Sequence, residues 1–347
     1  MRWLKRLLLA VGLLIVGAAA VLVGGSLLSL DWSREHSART AALPLLSAGQ
    51  PDDLAAGQPD DLAAGQSDGL VRIQANGMTF RARVAGLEGD GPGLILLHGF
   101  PETSAMWEPL IDAAASAGYR VVAFDQRGYS PGARPEGVES YVVPELVGDV
   151  LAVADAVGFE RFHLVGHDWG CVVGWGVAIQ NPDRLYSWTG LSIPHPGTLL
   201  ADLRREPPTY IKVFTAPWLP ELMFTFNDLS LMRSGSFEAM QPQQRDEYLA
   251  VFSEPGALTA SLNWYRAIAG SLDAGDDVAG PVEVPTLFIW GTREGWVTED
   301  ALERQRELAA GPYDELELDA GHFLIEEQPG AVVAAVMQQL QRTDRVP

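Results

Sequence analysis

Phe162-His163-Leu164-Val165-Gly166-His167-Asp168-Trp169-Gly170-Cys171 is the stretch on which the fold turns. Apolar Phe162–Val165 reads as a buried strand, and Cys171–Gln180 reads as a helix. Between them, Gly166-His167-Asp168-Trp169-Gly170 has the form G-x-D-x-G. Small residues on either side permit a tight, strained strand-to-helix turn. Such a turn lifts its central side chain above the sheet at the start of the next helix, where backbone N–H groups favour an anion. Asp168 is thus a candidate nucleophile, set against the plainer role of a helix cap.

The surrounding chain repeats the same alternation. Val71–Ala75 and Met78–Val84 read as strands joined at Asn76-Gly77, a hairpin signal. Gly93–Leu97, Tyr119–Phe124, Ser187–Ile193 and Thr286–Trp290 are short apolar runs, and Pro144–Val157 has helical spacing. Strands alternating with helices predict an α/β fold, with a mostly parallel sheet flanked by helices on both faces. From about 195 to 280 the pattern turns helical, aromatic and proline-punctuated, which predicts an inserted helical cap.

Two further signals support chemistry at Asp168. Leu96-Leu97-His98-Gly99-Phe100-Pro101-Glu102 follows an earlier strand, so the amides of Phe100 and Trp169 can converge on one oxygen as an oxyanion hole. His98 itself reads as structural. Glu294, in Gly291-Thr292-Arg293-Glu294, follows the strand Thr286–Trp290, and His322 follows Leu316–Asp319. Nucleophile, acid, then histidine is the chain order of the hydrolase triad on this kind of sheet, with His322 as base.

From about Leu70 onward the chain resembles the epoxide hydrolases of the α/β-hydrolase superfamily. The resemblance is carried by HGFPE at His98–Glu102, DQRGYSPGARP at Asp125–Pro135, GHDWG at Gly166–Gly170, LNWYRA at Leu262–Ala267 and AGHFLIEEQP at Ala320–Pro329. It implies Asp168 as nucleophile, His322 as base, and two cap tyrosines that hold the epoxide oxygen. Tyr265 matches one of them, and Tyr210 is the best-placed candidate for the other. The family usually carries Asp where Glu294 stands; Asp300 is the alternative acid. Asp125 reads as structural. The implied substrate is a small apolar epoxide, with neither a metal nor an organic cofactor.

Haloalkane dehalogenase, or another hydrolase with an Asp nucleophile, is the nearest rival. Trp169 suits a halide donor, but Phe100 cannot donate from its side chain. A non-catalytic binding protein on the same fold is the rival from another class. The aromatics Trp107, Phe214, Trp218, Phe224, Phe226 and Trp264 fit either a pocket or the core.

The 347 residues divide into three regions, 1–30, 31–69 and 70–347, of which the last fits one capped hydrolase domain. Arg2, Lys5 and Arg6 precede 24 uncharged residues, Leu7–Leu30, long enough to span a bilayer as a helix. The positive flank predicts an uncleaved transmembrane anchor with the catalytic domain outside the cytoplasm; a secreted form after signal cleavage is the alternative. Region 31–69 carries the octapeptide AGQPDDLA at Ala48–Ala55 and Ala56–Ala63, followed by AGQSDGLV, and reads as a mobile linker. The net charge of −21 excludes a nucleic-acid binder. A single cysteine, Cys171, excludes an internal disulfide framework and reads as a packing residue.

Overall fold

The apolar runs pair edge to edge in one sheet. The computed structural model describes residues 36–46, 69–205, 207–226, 229–234, 240–274, 280–295 and 297–344. Among these, nine strands lie in the order β1-β2-β3-β5-β4-β6-β7-β8-β9. They are β1 (Leu45–Leu46), β2 (Leu70–Ala75), β3 (Met78–Ala85), β4 (Gly93–Leu97), β5 (Arg120–Phe124), β6 (Phe162–His167), β7 (Leu185–Leu191), β8 (Thr286–Gly291) and β9 (Tyr313–Leu318). β3 is antiparallel to both its neighbours, β2 and β5, and every other adjacent pair is parallel. The β2–β3 hairpin turns at Asn76 and Gly77, whose positive φ of 47° and 71° is what a type I′ turn requires.

Central strands β4 and β6 are buried at every residue, as continuous apolar runs in a two-sided parallel sheet should be. The connection from β4 to β5 moves one way across the sheet, and that from β5 to β6 moves back past β4. Right-handed crossovers therefore put helix Glu108–Ser116 on one face and helix Val143–Ala156 on the other. The reversal at β4 opens a crevice at the carboxyl ends of β4 and β6, where such sheets place their sites.

Among the described residues, six helices, from Pro196–Arg205 to Ala257–Ala274, form the insertion between β7 and β8. A buried ion cluster ties it to the sheet. Glu247, on helix Pro242–Phe252, accepts from Arg81 Nη2 at 2.7 Å and Arg83 Nη2 at 2.5 Å, both on β3, and from the Thr103 hydroxyl at 2.9 Å. Arg81 also binds Asp125, the aspartate read as structural. Arg83 and Arg81 hold the Glu247 carboxyl far below its ordinary range, overcoming the opposing effect of burial. Phe100 adds an aromatic seam, edge-on to Phe214, Phe224, Phe252 and Tyr265 of the cap.

The expected anchor at Leu7–Leu30 lies outside the described residues, and among the described helices none is long and apolar enough to cross a membrane. Most of the octapeptide repeat also lies outside them. The reading of 31–69 as linker throughout needs correction. Residues 36–42 are helical, and Leu45–Leu46 form an edge strand on β2. His36 is buried between Arg81 and Glu254. A guanidinium can only donate, so His36 Nε2 accepts from Arg81 and Nδ1–H donates to Glu254. Buried hydrogen bonds, the burial of Leu43 and the pairing of Leu45–Leu46 with β2 make this docking together.

Candidate active site

β6 ends at His167 and the next helix starts at Trp169, leaving Asp168 alone in the turn with φ of 50°. The close approach explains the flanking glycines. A Cβ on Gly170 would lie 2.2 Å from the Leu97 carbonyl oxygen, and one on Gly99 would lie 2.4 Å from Asp168 Cβ. The Phe100 amide donates to Asp168 Oδ1 at 2.8 Å. Of the two amides expected at the oxyanion hole, this one touches the carboxylate. That of Trp169 is the first N–H of the helix.

Strand register brings the other candidates level with this turn. Leu97 pairs with Gly166, Leu191 with Ile289, and Gly291 with Leu318. Loops leaving β4, β6, β8 and β9 therefore converge. His322, beyond β9, has Nε2 3.4 Å from Asp168 Oδ2 and Nδ1 2.6 Å from Glu294 Oε2. Asp300, the alternative acid, lies on the surface and pairs with Arg304.

Burial alone would raise the Asp168 carboxyl, but the hydrogen bond and charge of His322 overcome it and lower the pKa. Burial alone would lower His322, yet the bonds and charges of Asp168 and Glu294 raise it well above 6.5. Both shifts favour an imidazolium beside the Asp168 carboxylate.

The cap covers this turn. A cleft of about 390 Å³ is lined by Asp168 and Trp169 below and by Tyr210, Ile211, Tyr265 and Ile268 above. Tyr265 is 6% exposed, Tyr210 is 40% exposed, and their rings stand 6.5 Å apart. Burial, then the charge of Asp168, raises the Tyr265 phenol, so it stays protonated and able to donate. The aromatics divide differently. Trp107 and Trp264 are core, the latter donating to the Arg127 carbonyl at 2.9 Å. Phe214 and Phe224 pack inside the cap on Phe100, whereas Trp218 and Phe226 are exposed.

His98 is buried, with Nδ1–H donating to the Gly99 carbonyl at 2.9 Å and Nε2 accepting from the Gln126 amide at 3.0 Å. Cys171 is fully buried, and burial pushes its thiol up.

Sequence reasoning assigned no role to a second layer behind His322. Its carbonyl accepts from His167 Nε2 at 2.8 Å and from the Ser192 hydroxyl at 2.9 Å. His167 Nδ1 lies 2.8 Å from Glu102 Oε2. Glu102 Oε1 and both carboxyl oxygens of Glu326 are buried and meet no N–H or hydroxyl among the described residues. The two carboxyl groups bind each other, which requires a proton on one of them. Burial, then the charge of Glu102, pushes Glu326 well up, so Glu326 holds that proton. A histidine ending a strand and a glutamate ending HGFPE were the available signals.

Residues 92–211 match the family model for the alpha/beta hydrolase fold. Among curated proteins, the chain is 33% identical to Epoxide hydrolase A of Mycobacterium tuberculosis, over 76% of this chain and 94% of that one. It is 31% identical to human Epoxide hydrolase 4, over 78% of this chain and 77% of that one. Among solved structures it matches Epoxide Hydrolase A from Mycobacterium thermoresistibile with a TM-score of 0.70 and 28% identity, covering 79% of this chain and 98% of that one. Together with the mostly parallel sheet and the Asp168 turn, these likenesses make the chain a member of the epoxide hydrolase family within the α/β-hydrolase fold.

Proposed function

We propose that this chain hydrolyses a small apolar epoxide to a vicinal diol through a covalent ester on Asp168. The observation that carries the reading is a single cleft shared by Asp168, Tyr210 and Tyr265, with His322 beside the carboxylate. Names of the relatives point the same way: those quoted above are called epoxide hydrolases.

The two carboxylate oxygens have different tasks. Oδ1 is held by the Phe100 amide, while Oδ2 lies toward His322. Oδ2 attacks a ring carbon, that C–O bond breaks, and the oxygen takes a proton from Tyr265 or Tyr210. Phenol hydrogen bonds strengthen as the oxygen becomes an alkoxide, so they lower the barrier rather than only binding substrate. Esterification removes the negative charge of Asp168, one of the causes that hold the proton on His322. His322 then gives that proton up, restoring the tyrosine that protonated the alkoxide, and becomes a base oriented by Glu294 on Nδ1. It takes a proton from water, whose oxygen adds to the Asp168 carbonyl carbon. The resulting oxyanion, at Oδ1, rests on the Phe100 and Trp169 amides. Collapse releases the diol and restores the carboxylate.

A panel of aryl epoxides, fatty epoxides and haloalkanes, with Asp168→Asn as control, tests the reading. Diol formation by the native chain and its loss in the variant are expected. Halide release without diol formation overturns the epoxide assignment.

Leu7–Leu30 serves, in the same reading, as a membrane anchor that leaves the hydrolase domain outside the cytoplasm. Its support is the uncharged length and the flanking Arg2, Lys5 and Arg6. Alkaline carbonate extraction should leave the full chain in the membrane pellet. Release, together with an N-terminus starting beyond Leu30, would mark a cleaved signal.

A further inference from the structure

One side of the cap is apolar and uncovered among the described residues. Along helix Leu219–Thr225 and the residue after it, Leu219, Leu222, Met223 and Phe226 fall at i, i+3, i+4 and i+7 and so share a stripe. They are 38%, 57%, 40% and 58% exposed, and Trp218, just before the helix, is 70% exposed. The other side of the helix is fixed inward. Phe224 stacks edge-on to Phe100, Pro220 is buried, and Glu221 binds Arg266 at 2.8 Å. Single exposed apolar residues need no explanation, but a continuous row of them marks a contact surface.

The other end of the chain indicates what covers it. His36 and Ser37 each bind Glu254 at 2.7 Å, and Glu254 lines a second cleft, of about 700 Å³, together with Glu221 and Thr225 of this same helix. Five residues separate His36 from Leu30, the end of the long apolar run. Fully extended, that connection spans roughly 20 Å. A domain of this size is roughly 45–50 Å across. A chain entering a bilayer at Leu30 cannot turn the opposite face of the domain to the membrane.

We propose that the row Trp218, Leu219, Leu222, Met223 and Phe226 seats in the surface of a lipid bilayer beside the anchor. Aromatic and long aliphatic side chains suit that depth. The next helix back in the chain, Thr209–Phe214, carries Tyr210, which is both part-exposed and a wall of the catalytic cleft. Seating the cap therefore brings the cleft close to the lipid, where an apolar epoxide is dissolved. A net charge of −21 disfavours anionic lipid, so the fitting surface is zwitterionic. This inference rests on the anchor reading of Leu7–Leu30.

Leu222→Cys in the full chain, labelled with an environment-sensitive fluorophore, tests it in phosphatidylcholine vesicles. The one native cysteine, Cys171, is fully buried and its thiol is pushed up, so labelling is selective. Phe226→Cys is a second position on the row, and Gln341→Cys, exposed on the last helix, is the reference. Retained turnover of a water-soluble epoxide establishes that each labelled chain is folded. Spin-labelled lipid should quench the probe at 222 and 226 and leave that at 341 unaffected. Flotation of the chain with the vesicles but no quenching at 222 or 226 overturns the docked face and spares the anchor. That outcome includes coverage by a second copy. Equal quenching at 341 also overturns it, and failure to float overturns face and anchor together.

Discussion

His322 Nε2 lies 3.4 Å from Asp168 Oδ2, and each residue alters the proton affinity of the other. Against burial, the bonds and charges of Asp168 and Glu294 hold His322 well above 6.5. Asp168→Asn removes one of the two charges and keeps the shape. The His322 pKa should then fall, mimicking the neutral ester. Its imidazole titration by NMR reads this directly. An unchanged midpoint would mean that Asp168 does not hold the proton.

His322→Gln should separate the two chemical steps. Ester formation needs Asp168 and the tyrosines, whereas hydrolysis needs a base. Intact mass after mixing with epoxide should show the chain plus one substrate, with diol release suppressed by about a hundredfold or more. Substrate consumption without that adduct would falsify the two-step scheme.

Tyr265→Phe and Tyr210→Phe each remove one donor from the developing alkoxide. Loss of one such donor costs about a hundredfold in kcat. The buried Tyr265 should cost more than the part-exposed Tyr210, because water can replace the bond at the wetter position. The double variant should lose epoxide opening almost entirely. Pre-steady-state ester formation is the measurement, and diol formation by the double variant at the native rate removes both assignments.

Glu247→Ala should loosen the cap. The substitution leaves Arg81 and Arg83 buried with one carboxylate partner fewer. Breaking a buried pair from one side costs about 3–5 kcal/mol. Urea unfolding should register that loss. A change within error would mean the cluster is already solvated.

Elements made from local patterns were legible in the sequence. The Asn76-Gly77 hairpin, the elbow at Asp168 and the central strands each depend on a few adjacent residues with one physical solution. Loop positions of Glu294 and His322 followed from chain order, and the sheet register supplied the reason they meet. Pairings between distant segments left no such trace. His36 meets Glu254 across 218 positions, and His167 meets Glu102 across 65. Each is a polar contact between segments with no shared periodicity. Trp218 and Phe226 were weighed only as pocket or core, since hydrophobicity alone does not say which aromatic faces outward.

The layer behind His322 makes a prediction about pH. Glu326 is protonated against Glu102, and its pKa is raised by burial first and then by the charge of Glu102. A carboxyl raised on folding stabilises the native state fully below its unfolded pKa, and that contribution is lost as the pH rises through the folded value. Stability of the native chain should therefore decline as the pH rises from the unfolded carboxyl range to the folded value, and level off above it. Glu326→Gln keeps an N–H donor toward the Glu102 carboxylate and cannot ionise. Its urea midpoint should match the native chain near pH 5 and exceed it increasingly toward pH 8.5. Glu326→Ala leaves Glu102 Oε1 without a donor and should lose about 1–3 kcal/mol at both pH values. Parallel native and Gln profiles across this range would show that the proton resides elsewhere.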